Sequence, residues 1–134
     1  MGRIAVTDGI SEEAKSLLEK SGHEVVVKFY SMDELLDGAL ANFDAVIVRS
    51  ATKITAEVIS ASKPGISVIG RAGVGVDNID LQAAGKAGIS VVNAPRASTQ
   101  SVVELTIGHL LSSVRKVPKS DRSLRDGQWA KKAM

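Results

Sequence analysis

Five short runs rich in β-branched residues, each followed by a stretch with helical spacing, fill the first hundred positions. That alternation restricts the chain to βαβ units and a parallel sheet. The runs are Arg3 to Thr7, Glu24 to Phe29, Ala45 to Arg49, Ser67 to Gly70 and Ser90 to Val92. The helices between them carry start signals. Ser11 precedes the acidic pair Glu12 and Glu13, Ser31-Met32-Asp33-Glu34 spells a capping box, Thr55 opens the third helix, and Asn78 or Asp80 opens the fourth. Gly22 and Gly88 stand where helix C-terminal caps belong, each just before the next strand. The expected fold is therefore α/β, a five-stranded, parallel, doubly wound sheet of flavodoxin-like (Rossmann-like) type. Such sheets bind ligands outside the carboxyl ends of their strands. The loops after Thr7, Arg49, Gly70 and Val92 are the ones to search.

The last third breaks the alternation. A long helix is predicted over Ser101 to Val117, with Val103, Ile107, Leu110, Leu111 and Val114 on one face and Val102 and Leu105 widening the stripe. A helix this apolar is expected to be covered on more than one side. Pro118 is expected to stop it, Lys119 to Asp126 to form a short second helix, and Gly127 to cap that helix ahead of Trp129, the only tryptophan. The organisation read from the sequence is thus a sheet domain over residues 1–98, then a hinge, long helix and basic tail over 99–134.

Composition narrows the function classes. With 134 residues, 44% of them apolar and 24% charged, the chain reads as a soluble globular protein. It has no cysteine, which removes disulfides, thiolate metal sites and a cysteine nucleophile, and which fits the reducing cytoplasm. No apolar run reaches the length of a membrane span, and the N-terminus has no signal-peptide pattern. The net charge of +2 is unevenly placed: residues 115–134 hold seven Lys/Arg and two Asp/Glu, so this segment carries +5 and the rest −3. One aromatic residue in that tail and no recognisable module argue against a nucleic-acid partner.

Four candidate loops remain. Gly70-Arg71-Ala72-Gly73-Val74-Gly75-Val76-Asp77-Asn78 runs from a strand through a glycine turn towards a helix, an arrangement that leaves backbone N–H groups free for a small anion. It holds the first two glycines of a dinucleotide fingerprint but has Asn78 in the third place, so it is not read as a pyrophosphate cradle. Arg49-Ser50-Ala51-Thr52 closes the third strand, where Arg49 either grips a carboxylate or phosphate or pairs with a surface acid. Arg71 faces the same choice or points away. Asn93, ahead of Ala94-Pro95, either reaches a ligand or makes an Asx turn. His23 and His109 lie away from these loops, and no spacing of acids and histidines suggests a metal site. A phosphorylated receiver would need an acid and a lysine where Arg49 and Asn93 stand. An FMN-binding flavodoxin would need a longer, neutral loop than Thr7-Asp8-Gly9-Ile10-Ser11.

The strings Val48-Arg49-Ser50-Ala51-Thr52-Lys53-Ile54, Gly70 to Asp80, Asn93-Ala94-Pro95 with Ser101-Val102-Val103-Glu104-Leu105, and Asp126-Gly127-Gln128-Trp129, in this order, resemble the NAD-dependent D-2-hydroxyacid dehydrogenase family. The likeness covers nearly all of the chain and is to the N-terminal part of members acting on 3-phosphoglycerate. It implies that Arg49 and Ser50 lie by the substrate phosphate, that the backbone of Ala72, Gly73, Val74 and Gly75 holds the carboxylate, and that Asn93 borders the cleft. It also implies that Val74 and Thr99 approach the cofactor and that Lys131 reaches a neighbouring subunit's site, making the long helix a dimerisation element with a possible exchange of segments.

Family members continue into a nucleotide-binding domain with a full glycine fingerprint, a catalytic Arg and a His/Glu pair, none of which is within these 134 residues. What the resemblance implies is therefore a substrate-binding portion with no catalytic residue of its own and no NAD bound to it. The full-length enzyme would oxidise 3-phosphoglycerate to 3-phosphohydroxypyruvate, a step of serine biosynthesis. The alternatives are a portion of a glyoxylate or hydroxypyruvate reductase, or a non-catalytic, self-associating domain.

Overall fold

The computed structural model describes residues 1–129. Two compact units divide the chain, Met1–Ala97 and Ser98–Met134. In the first, β1 (Arg3–Val6), β2 (Glu24–Val27), β3 (Ala45–Val48), β4 (Val68–Arg71) and β5 (Ser90–Asn93) alternate with α1 (Glu12–Lys20), α2 (Met32–Leu36), α3 (Ala56–Ala61) and α4 (Leu81–Lys86). All strand pairs are parallel and the order is β2-β1-β3-β4-β5. This is the flavodoxin-like arrangement expected from the alternation. Its strand order reverses between β1 and β3, so the crevice for a ligand lies beyond the carboxyl ends of those two strands.

The β-branched runs form strands because both faces of a parallel sheet are covered, and apolar side chains on either face leave water. Val46, Val48 and Ile69 are fully enclosed in one core with Leu35, Leu40, Ile54 and Val58 from the helical layers and loops, and Val6 is enclosed outside that cluster. Ser11, Ser31, Thr55 and Asp80 each accept an N–H of the first helical turn. For the fourth helix the two possible starts resolve to Asp80, whose carboxylate accepts the Ala83 N–H at 2.8 Å. Gly22 and Gly88 both have φ in the left-handed region, at 87° and 72°, as their positions after α1 and α4 require.

The second unit departs from expectation. Its long helix, α5, spans Thr99–Val114 rather than 101–117, and α6 spans Val117–Arg125. Pro118 does not stop α5. The break falls at Lys116, with φ 53°, and Pro118 sits in the first turn of α6, where its missing N–H has no helical acceptor to lose. None of the α5 residues is buried within this single chain, so its apolar face stands open to solvent.

Candidate functional site

Three loops meet at the carboxyl edge beside the switch point. Asp8, Gly9, Ile10, Ser11 and Ala14 from the β1 side, with Arg49 from β3 and Ala72 from β4, line an open cavity of about 590 Å³. A smaller hollow of about 230 Å³ is lined by Asp8, Arg49, Ser50 and Ala51.

The loop after β3 is held from two sides. The Asp8 carboxylate accepts the Arg49 N–H at 2.7 Å, the Thr52 N–H at 3.1 Å and the Thr52 hydroxyl at 2.6 Å. Partial burial tends to raise the Asp8 pKa, but the hydrogen bonds from the Thr52 side chain and the Thr52 and Arg49 amides outweigh it, leaving the carboxyl below its ordinary 3.8. The Asn78 side-chain amide donates to the carbonyls of the same two residues, Arg49 and Thr52, each at 2.7 Å. The adjoining main chain adds a short parallel bridge, with Ile54 N–H donating to the Asn78 carbonyl at 2.8 Å and Asp80 N–H to the Ile54 carbonyl at 2.9 Å.

Arg71 does not point away from the loop. Its Nη2 donates to the Ser50 hydroxyl at 3.0 Å. Its guanidinium also fills the space where a side chain on Gly73 would go, so a larger residue there would displace it. Ser50 accepts from Arg71 and so keeps its own hydroxyl proton available to an anion.

Backbone geometry aims the glycine turn. The Gly73 carbonyl accepts the Ala94 N–H at 2.9 Å, and the Val74 carbonyl accepts Asn93 Nδ2 at 2.6 Å. In a trans peptide the C=O and the following N–H point in opposite directions. Val74 and Gly75 therefore direct their N–H groups away from β5, and among the described residues neither amide, nor that of Ser50, has a protein acceptor. Asn93, for which the sequence left a ligand contact and an Asx turn open, donates its Nδ2 to the Val74 carbonyl behind the loop.

The Arg49 guanidinium enters none of the four ion pairs found among the described residues. The only acid of the cavity rim, Asp8, is already engaged by three donors. The Arg49 guanidinium and the unengaged Ser50 amide thus stand at a rim whose carboxylate is already engaged, with the unengaged Val74 and Gly75 amides further along the β4 loop, and the chemistry this offers is the binding of a small anion with more than one oxygen.

Arg49 and Ala72 share the larger cavity and Arg49 and Ser50 the smaller one, while Gly73, Val74 and Gly75 follow Ala72 on the β4 loop and line neither. Thr99 opens α5 in the second unit, and Lys131 lies outside the described residues. Sequence reasoning missed Asp8 and Asn78 as site residues. The signal for Asn78 was its place in the glycine pattern, a polar residue where close helix packing would want glycine. No group of three or more His, Asp or Glu side chains suited to a metal occurs among the described residues, and none of their helices is long and apolar enough to cross a membrane.

A family model described as D-isomer specific 2-hydroxyacid dehydrogenase, catalytic domain, matches residues 4–132. D-3-phosphoglycerate dehydrogenase of Archaeoglobus fulgidus is 47% identical over 130 residues, 97% of this chain and 24% of that protein. Hydroxypyruvate reductase of Thermotoga maritima is 43% identical over 133 residues, 98% of this chain and 43% of that protein. The crystal structure of NAD⁺-bound 3-phosphoglycerate dehydrogenase from Entamoeba histolytica superimposes with a TM-score of 0.70 at 35% identity, covering 86% of this chain and 40% of that one. The chain spans about a quarter of the length of the phosphoglycerate dehydrogenase relative.

Proposed function

The chain belongs to the D-isomer specific 2-hydroxyacid dehydrogenase family, and on that premise we propose that it is the substrate-binding portion of an enzyme that oxidises 3-phosphoglycerate to 3-phosphohydroxypyruvate with NAD. The observation that carries the reading is the Arg49 guanidinium at the switch point, in no ion pair among the described residues, next in the chain to the unengaged Ser50 amide, with the unengaged Val74 and Gly75 amides on the β4 loop. Arg49 and Ser50 take the phosphate, and the Ala72 to Gly75 backbone takes the carboxylate. Holding both anionic ends leaves the carbon between them in one orientation, which lowers the entropic part of a reaction barrier.

The described residues do not fit a dinucleotide cradle. Asn78 is committed to two carbonyls, and the Arg71 guanidinium occupies the open side of Gly73. No step through NAD is therefore assigned to this chain. Val74 and Thr99 are the positions proposed to border a cofactor held by the remainder of a full-length protein, and Lys131 the position proposed to reach a second subunit's site.

Self-association through α5 belongs to the same proposal, supported by its exposed Leu105, Leu110, Leu111 and Val114. So does a cytoplasmic setting, supported by the absence of cysteine. A second reading, a hydroxypyruvate reductase portion, is favoured by the Thermotoga relative. Titration followed by amide NMR separates the two. With 3-phosphoglycerate, Ser50, Val74 and Gly75 are expected to shift first, at an affinity on the order of millimolar. Glycerate matching 3-phosphoglycerate in affinity favours the second reading, and shifts confined to α2 refute the site.

A further inference from the structure

We propose that Asn78 is a positioning residue of the anion site: its two side-chain N–H groups set the backbone that carries Arg49 and turn the Ser50 amide towards the ligand. The inference rests on the functional reading above and deepens it.

A primary amide has two N–H donors, and here both are used, on the carbonyls of Arg49 and Thr52. Asp8 takes the N–H groups of those same two residues. Donor and acceptor of Arg49, and donor and acceptor of Thr52, are thus each satisfied by a side chain from another loop. Ser50 and Ala51 span the interval between the gripped positions, and the Ser50 hydroxyl is tied to Arg71. A four-residue loop would otherwise have soft backbone dihedrals. Gripped at both ends, it presents its cation from a defined point.

The direction of the grip matters as much as its strength. Because Asn78 holds the Arg49 carbonyl, the N–H of the next peptide, that of Ser50, points away from Asn78. Arg49 and Ser50 line a hollow with Asp8 to which Asn78 does not contribute. Asn93 does the same to the Gly75 amide through the Val74 carbonyl. Asn78 therefore acts through other residues and touches no ligand, and its Oδ1, buried without a partner, leaves only its donor side in use.

A double-substitution cycle on the full chain tests this, with 3-phosphoglycerate as the probe and amide NMR as the readout. Asn78→Ala removes two hydrogen bonds and is expected to weaken binding about tenfold. In an Arg49→Ala background the same change is expected to cost much less, since the group being positioned is gone. Asn78→Ser, which keeps one donor, is expected to fall between Asn78→Ala and the unsubstituted chain. In all three variants the amides of Val6, Val46 and Ile69 in the sheet are expected to keep their positions. If Arg49→Ala leaves affinity unchanged, the functional reading fails. If Arg49→Ala weakens binding while Asn78→Ala does not, or if the two losses simply multiply, that reading stands and this proposal is overturned. Loss of the sheet amides in both Asn78 variants also overturns it, because Asn78 would then be needed for the fold itself.

Discussion

Replacing Asp8 with alanine removes three acceptor contacts at once: the Arg49 amide at 2.7 Å, the Thr52 amide at 3.1 Å and the Thr52 hydroxyl at 2.6 Å. Thr52 is only 4% exposed, so water cannot easily serve its groups once the carboxylate is gone. A hydrogen bond to a charged acceptor contributes roughly 1.5–3 kcal/mol when buried. Asp8 itself is partly exposed, and solvent screening reduces the total, so the expected loss at pH 7 is about 2–3 kcal/mol. Asp8→Asn should lose roughly half of that, because Oδ1 can accept both amides while the new NH₂ donates to the Thr52 hydroxyl.

The pH dependence follows from the sign of the Asp8 shift. A carboxyl whose folded pKa lies below its ordinary value of 3.8 contributes stability that is fully present above 3.8 and disappears as pH falls through the folded value. Urea unfolding of the three proteins at pH 7, 5, 3 and 2 should therefore show a gap that is constant down to pH 5 and narrows below 3.8. Between pH 3.8 and pH 2 the parent should move towards Asp8→Asn. A gap that stays the same from pH 7 to pH 2 would refute the role of the ionised carboxylate. Equal stability of Asp8→Ala and the parent at pH 7 would refute the clamp.

Gly73→Ala places a methyl group on the Arg71 guanidinium, the movable end of a side chain, so thermal stability should change by less than about 1 kcal/mol while 3-phosphoglycerate binding weakens several-fold through loss of the Arg71–Ser50 contact. Light scattering coupled to size exclusion should find the chain dimeric and the Leu110→Glu, Val114→Glu variant monomeric, since both side chains are more than half exposed on α5; an unchanged mass would place self-association elsewhere. The purified 134-residue chain should show no NAD-dependent oxidation of 3-phosphoglycerate, because no acid–base pair lies among the site residues; turnover that persists through further purification would overturn this.

The strands and helix starts were legible because they depend on neighbours in the chain. A β-branched run such as Ala45 to Val48 and a box such as Ser31 to Glu34 carry their reasons within a few residues. The break before α6 was not legible, since Pro118 reads equally well as a helix stop and as a first-turn residue, and the left-handed Lys116 that decides between them has no sequence mark. The apolar character of α5 was legible, but what covers it was not, because periodicity records which residues are apolar and says nothing of what packs on them.

The site divides along the same line. Arg49 and the glycine turn stand out in the sequence because an anion needs cations and bare amides at a strand end, wherever the strand lies. Asp8 and Asn78 do not, because their partners are 41 and 29 positions away and only the sheet order brings β1 and the β4 loop to either side of the β3 loop. Asp8 looked like a reason to deny an anion site at the first loop. Placed against the Arg49 and Thr52 amides its charge is spent on protein donors, which leaves Arg49 without an acid to pair with. The same carboxylate that argues against anion binding in the sequence supports it in the fold.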